Sequence, residues 1–109
     1  MYILDTTTKT LVANLTAAVN SIQPEFTVTY ADTTSNTVVE GTSIGQFSGT
    51  SDVTMVTAPA SNQRRVIRYI TVYNNDDRSI VFNLKYNNNG THRQIARITL
   101  RPYETWYGQ

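Results

Sequence analysis

The sequence predicts an all-β chain that folds as a single antiparallel β-sandwich of about seven strands, Ig-like or jelly-roll-like. Thr, Asn, Val, Ile and Tyr dominate, and the β-branched and aromatic residues among them pack well on a pleated sheet. Apolar and polar residues alternate in short runs, and turn residues interrupt the chain roughly every 8–12 residues. At 109 residues the chain is long enough for one domain, spanning 1–109, and too short for two cores.

The first clear strand signals of the N-terminal half are 26–31 and 52–58. Phe26, Val28 and Tyr30 alternate with smaller or polar residues, and the run 52–58 stops before Pro59. Between these strands, 33–50 is rich in Ser, Thr, Gly and Asn. We expect a long loop there with one short edge strand.

The segment 11–22 admits two structures. Its first apolar residues alternate as in a strand, while Leu11, Leu15, Val19 and Ile22 also match helical spacing. The many Thr, Val and Asn residues disfavour a helix, so a strand is the preferred prediction and a helix the alternative.

The run 64–73 is the strongest strand signal, and it ends at the turn residues 74–77. Strict alternation would place Tyr69 and Tyr73 on one face with Ile67, and the remaining apolar residues on the other. A strand that is apolar on both faces is either central within its own sandwich or covered by a neighbouring subunit. The sequence leaves both open.

A β-hairpin follows, in which the strands 79–86 and 91–100 are joined at Asn89-Gly90. An Asn-Gly pair tolerates the positive φ angles of a tight turn. We expect a register that keeps Phe82 and Leu84 beside Ile98 and Leu100, because these residues share the apolar face. After a break at 101–104, the residues 105–107 can add a short edge strand.

Charge is segregated along the chain, although the net charge is only +1. Before Arg64 there are five acids and a single base, Lys9, whereas from Arg64 onward there are eight bases and three acids. The two halves can pair within one fold or dock copies onto one another. A nucleic-acid partner is not expected, since the net charge is close to zero.

No pattern for catalysis, cofactor binding or metal binding is found. The chain has no cysteine, and His92 is its single histidine. Asp76 and Asp77 could hold Ca²⁺, but a turn whose side chains bond to their own backbone is the preferred interpretation. The run 41–45, Gly-Thr-Ser-Ile-Gly, only superficially echoes a hydrolase nucleophile motif. We therefore expect a protein that is not an enzyme.

Both ends of the chain carry bulky apolar residues, which indicates that the ends pack against another surface, whether of this chain or of a partner. No basic region followed by an apolar run opens the sequence, and no apolar stretch is long enough to span a bilayer. We expect neither a signal peptide nor a membrane segment.

Several motifs together resemble a group of short virion proteins of tailed phages. The resemblance covers nearly the whole chain, and its motifs are those of packing and turns. They are Leu4-Asp5-Thr6-Thr7, Val28-Thr29-Tyr30-Ala31-Asp32, Ala58-Pro59-Ala60, Arg64-Arg65-Val66-Ile67, Ile70-Thr71-Val72-Tyr73-Asn74 and Glu104-Thr105. The chain departs from the group at Tyr103, where the group has Gly.

The resemblance implies a structural protein of the virion, assembled in the bacterial host cytoplasm. The large apolar groups on both faces of 66–73 and at both chain ends predict a homo-oligomer, because a small sandwich buries too little surface alone. A trimer is favoured, since it suits the three-fold positions of phage shells and fibres. The protein would bind capsid, portal or tail components, as a capsid decoration, head-fibre or tail accessory protein. The alternative is a carbohydrate- or receptor-binding module of a fibre. No catalytic residue is transferred. The residues predicted to lie at an interface are Tyr2, Leu4, Arg64, Arg65, Arg68, Tyr69, Tyr73, Trp106 and Tyr107.

Overall fold

A computed structural model, which describes residues 2–108, confirms the antiparallel β-sandwich and contains nine strands rather than seven. No helix occurs between Tyr2 and Gly108, and so none that could span a membrane. The strands are β1 (Tyr2–Leu4), β2 (Lys9–Leu15), β3 (Glu25–Thr33), β4 (Val38–Gln46), β5 (Val53–Val56), β6 (Arg64–Tyr73), β7 (Ile80–Asn88), β8 (Thr91–Leu100) and β9 (Thr105–Gly108).

The strands form two sheets that enclose one core. The first sheet has the order β1-β6-β3-β4, with β9 also paired to β6, and the second has the order β5-β2-β7-β8. Every pairing is antiparallel. Inward side chains of both sheets meet in the core, and the largest of those fully buried are Phe82, Leu4, Leu11, Leu15, Met55, Ile67, Ile70 and Leu84.

The predicted hairpin at Asn89-Gly90 is confirmed. Asn89 has φ 53° and Gly90 has φ 93°, the pair of positive angles that a tight hairpin needs. Phe82 lies opposite Ile98 as expected, but Leu84 pairs with Ala96 and Leu100 with Ile80. A bulge at Ile95, which has no partner on β7, shifts the register nearer the tip.

In the segment 11–22, the strand prediction is correct for its first part, because β2 runs from Lys9 to Leu15. The helical alternative is not realised, and residues 16–24 form an irregular connection to β3. Leu11, Ala13 and Leu15 face the core.

The prediction of a long loop with one short strand over 33–50 is wrong. β4 is nine residues long and pairs with β3 along its whole length. Its glycines lie opposite aromatic residues, so that a Cβ at Gly41 would be 2.8 Å from the Tyr30 ring and one at Gly45 2.8 Å from the Phe26 ring. The two rings cover the backbone of this edge strand. The polar composition of 33–50 does not reveal such a contact.

The two ends of the described chain lie along the same edge of β6. Tyr2 pairs with Ile67 and Gly108 pairs with Ile70, so β1 and β9 follow one another on that edge. The inward ring of Trp106 packs edge-on against Phe82 at 5.5 Å and covers Gly108. The bulky ends therefore complete the core of their own domain.

Candidate interaction surface

A β-bulge at Arg68 decides which side chains of β6 face outward. Thr29 pairs with Tyr69 and Tyr30 with Ile67, which leaves Arg68 without a partner on β3. The extra residue reverses the alternation. Ile67 and Ile70 thus both face the core, and the predicted grouping of Ile67 with Tyr69 and Tyr73 is wrong. β6 is central in its own sandwich and directs tyrosines to the outside.

These tyrosines lie on the outer side of the first sheet, where Tyr69 and Tyr73 are half-buried and the neighbouring Tyr107 is 62% exposed. Tyr107 on β9 pairs with Thr71 and stands beside Tyr69, with the two ring centroids 5.8 Å apart. Tyr73 follows two residues after Thr71 on the same side of β6. We call the cluster of Tyr69, Tyr73 and Tyr107 the tyrosine face.

The tyrosine face continues across the sheet to β4. Tyr107 pairs with Thr71, Thr71 with Thr27, and Thr27 with Ile44, so one row of side chains crosses the sheet. At about 4.8 Å per strand, the row is about 14 Å long. Its two ends are the most exposed, Tyr107 at 62% and Ile44 at 75%. Aromatic, aliphatic and hydroxyl groups are thus arranged on one shallow surface.

A shallow polar depression borders the tyrosine face at the bulge. It encloses about 360 Å³ and is lined by Thr29, Tyr30, Glu40, Gly41, Thr42 and Arg68. The Arg68 guanidinium lies 3.7 Å from the Glu40 carboxylate, and both side chains are largely exposed. Such an exposed pair contributes little to stability and leaves both groups available to a partner.

The structure brings together four of the nine predicted interface residues: Arg68, Tyr69, Tyr73 and Tyr107. Tyr2, Leu4 and Trp106 point into the core instead, and Tyr2 packs edge-on against Tyr86. Leu4 has no exposed surface, so its prediction as an interface residue is wrong. The physical reason is that β1 and β9 pair with β6 and turn alternate side chains inward.

Arg65 also belongs to the interior of the domain. Its Nε and Nη2 donate to the two Asp32 carboxylate oxygens at 2.8 and 3.0 Å, and its Nη1 donates to the carbonyl oxygen and hydroxyl of Thr57. The hydrogen bond to Asp32 raises the pKa of Arg65 against the effect of burial. The guanidinium carbon lies 4.2 Å from the centre of the Tyr30 ring.

The basic and acidic halves of the sequence pair within one fold. Arg65 with Asp32, Arg68 with Glu40 and Lys85 with Asp52 each join a late base to an early acid. Of the two explanations for charge segregation, pairing within the chain is thus realised at these residues. Arg64 remains exposed at the end of the sandwich near Asn62 and Gln63.

Asp76 fixes the turn after β6 to the loop before β3. Its carboxylate accepts hydrogen bonds from the backbone nitrogens of Asn20 and Ser21 and from the Ser21 hydroxyl, at 2.8 to 3.2 Å. Burial alone would raise the pKa of Asp76, but these bonds outweigh it and lower the pKa to about 2. Asp77 accepts from the Asn20 side chain.

Asn74 supports the same turn, since its Oδ1 accepts from the backbone nitrogen of Asp76. Its Nδ2 donates to the carbonyls of Arg78 and Arg101 at 2.9 Å. This is the hydrogen-bonded turn that the sequence favoured over a Ca²⁺ site. No cluster of potential metal ligands occurs within residues 2–108.

His92 lies on the outer side of the second sheet, opposite Asn87. Its Nδ1 is 3.6 Å from the Asp52 carboxylate, which also binds the Lys85 ammonium at 2.7 Å. The carboxylate nearest to His92 therefore already forms an ion pair with Lys85. Ser43, in the motif that echoes a hydrolase, donates instead to the carbonyl of Met55.

Sequence reasoning did not identify Ile44 or the threonine row as part of the surface. Ile44 lay in a segment predicted as a loop, and a loop residue cannot be assigned to a sheet face. The alternation of Thr27 and Thr29 with Phe26 and Val28 was the available signal for an outer threonine row. Against known proteins, no protein family, curated protein or solved structure matches the chain.

Proposed function

We propose that the chain is a structural protein of a bacteriophage virion, which binds other particle proteins and assembles as a homo-oligomer, with a trimer favoured. The tyrosine face is the observation that carries the proposal. The tyrosines there have no role in the core, and tyrosine is enriched at protein interfaces. The resemblance of the packing and turn motifs to short tailed-phage proteins supports the particle as the setting.

Physical chemistry favours a protein partner for this surface. The rings of Tyr69 and Tyr107 and the side chain of Ile44 supply apolar area, while the threonine hydroxyls between them can hydrogen-bond at low cost in side-chain entropy. A sheet surface is broad and shallow, which suits another subunit better than a small molecule.

Light scattering on the purified protein tests assembly. We expect a mass well above the 12.2 kDa of one chain, and Tyr107→Ser should lower the assembled fraction. Tyr103→Ser is the matched control, because Tyr103 is 59% exposed but lies outside the tyrosine face. A monomer at all concentrations would contradict the oligomer. Equal effects of both variants would contradict the tyrosine face as its interface. Absence of the protein from purified particles, measured by mass spectrometry, would contradict the virion role.

A carbohydrate-binding module of a fibre is the second candidate. The neighbouring rings of Tyr69 and Tyr107, 5.8 Å apart on an open surface, are the observation that favours it, because sugar rings stack on exposed aromatic side chains. A glycan array would discriminate between the two. Binding that is lost with Tyr107→Ser and kept with Tyr103→Ser, by a protein that stays monomeric, would favour this candidate.

A further inference from the structure

A second surface, on the opposite sheet, combines a free strand edge with positive charge. Among residues 2–108, β8 is the last strand of its sheet and pairs with β7 alone. The backbone groups on its other side pair with no strand and offer an edge to a further strand, although the Ala96 carbonyl of β8 accepts a hydrogen bond from the Gln94 side chain at 2.8 Å. β8 has ten residues, long enough to hold an extended segment of another chain.

Exposed arginines flank this edge without ionic partners. Arg93 and Arg97 lie on β8, and Arg101 follows it directly. The backbone of Arg78 is close to that of Arg101, because the Asn74 side-chain amide donates to the carbonyls of both. In residues 2–108, none of these four arginines lies within ion-pair distance of an acid. The cations that pair with acids are Lys9, Arg65, Arg68, Lys85 and His92, of which only His92 lies on β8.

The acids of the chain are almost all engaged. Four are in ion pairs: Asp5, Asp32, Glu40 and Asp52. Three more accept hydrogen bonds from the chain itself: Asp76, Asp77 and Glu104. Among the described residues only Glu25 has neither kind of contact. A second copy therefore offers few acids that are not already paired within its own chain, the exposed Glu25 and Glu40 being the most accessible, and an extended segment with several free acids from a different protein is the better complement of the arginines.

The bulge at Ile95 sets where the negative charges of a partner would lie. Because of it, Arg93 stands opposite Tyr86, on the core side of the sheet, whereas Arg97 stands opposite Asn83, on the outer side. Tyr86 and Asn83 are three residues apart, an odd spacing that places them on opposite faces. A strand that adds to the free edge would therefore face both arginines if it carried two acids three residues apart.

An apolar strip beside the edge gives such a strand further contacts. Ile95, Ala96 and Ile98 are only partly buried, although they pack against the core. Near the hairpin tip, Ile3, Lys9, Tyr86, Asn88 and Arg93 line a cleft of about 280 Å³. In this cleft Arg93 is the cation without an ionic partner and it stands near the Tyr86 ring, whereas Lys9 is paired with Asp5 at 2.7 Å. A carboxylate with an apolar neighbour fits beside Arg93.

The geometry points to β8 as a docking edge for an extended acidic segment of another protein, which adds as a strand with two acids three residues apart facing Arg93 and Arg97. This role is independent of the tyrosine face. Backbone pairing would supply part of the affinity, and the arginines would select acidic over neutral or basic segments.

A peptide titration followed by NMR tests the docking edge. The probe is Thr-Val-Glu-Thr-Val-Glu-Val-Thr, and its control carries lysine in place of both glutamates. We expect amide shifts confined to β8 and its neighbours with the glutamate peptide, weakening as salt is added. The variant Arg93→Gln/Arg97→Gln should raise the Kd about tenfold, while Arg64→Gln, which removes an exposed arginine elsewhere, should not.

Four results would overturn the docking edge. They are no shift with the glutamate peptide, equal shifts with the lysine peptide, shifts centred on β4, and tighter binding of an oligodeoxythymidylate at the same arginines. None of them bears on the tyrosine face, whose test is the assembled mass of the Tyr107→Ser variant.

Discussion

Arg65 and Asp32 face each other on neighbouring strands and are joined by two parallel hydrogen bonds. Their side chains are 12% and 15% exposed, so the pair is largely shielded from water. A bidentate pair in such a setting holds β3 and β6 in register at the end of the sandwich.

We expect Asp32→Asn to lower the free energy of unfolding by about 2 kcal/mol, because the guanidinium then lacks its charged partner in a poorly hydrated place. Glu40→Gln removes the exposed partner of Arg68 and should change stability by less than about 0.5 kcal/mol. Urea denaturation at pH 7 measures both. Equal effects of the two variants would show that the shielding of Arg65 is unimportant.

Asp76 should make the protein sensitive to acid. Its pKa in the folded state, about 2, lies below the ordinary value of 3.8. The ionised carboxylate therefore stabilises the fold fully above about pH 4, and this contribution is lost as the pH falls from about 4 to about 2. In denaturation experiments, the free energy of unfolding of wild type should be well above that of Asp76→Asn at pH 7, and the difference should shrink as the pH falls from about 4 to about 2. The control Asp77→Asn, at the exposed neighbour, should change this dependence far less.

Removal of divalent cations should not change stability. The Asp76 carboxylate already accepts bonds from N–H and O–H donors, which leaves no free oxygen set for Ca²⁺. The melting temperature should be the same in EDTA and in millimolar Ca²⁺. A rise of several degrees on adding Ca²⁺ would revive a site at Asp76 and Asp77.

Tyr103 is held in a backbone conformation that suits glycine. Its φ is 61°, Pro102 precedes it, and the Glu104 nitrogen donates to the Arg101 carbonyl, the pattern of a type II turn. We expect Tyr103→Gly to stabilise the fold by about 0.5–1 kcal/mol, because relief of strain exceeds the entropy gained by the unfolded chain.

Tyr103→Ala separates strain from the loss of the ring, since alanine removes the ring but keeps a Cβ at positive φ. It should not be more stable than wild type in thermal or urea unfolding. Equal stabilisation by both variants would mean that the exposed ring, rather than the backbone, was unfavourable.

Sequence patterns alone predict the β-sandwich and its most regular strands, because alternation and turn chemistry act between near neighbours along the chain. Phe26, Val28 and Tyr30 predicted β3, and Asn89-Gly90 predicted the hairpin. Alternation placed Tyr69 and Tyr73 on one face of their strand, and both were predicted, with Tyr107, as interface residues.

The way in which these elements face one another depends on pairing and packing between distant parts of the chain. The bulge at Arg68 arises from pairing between β6 and β3, and it reverses which side chains point outward. β4 was missed because its stability depends on rings from β3 that cover Gly41 and Gly45. Likewise, Arg65 meets Asp32 across 33 positions of sequence. Contacts between residues so far apart are set by strand register and sheet packing, and no local pattern encodes them.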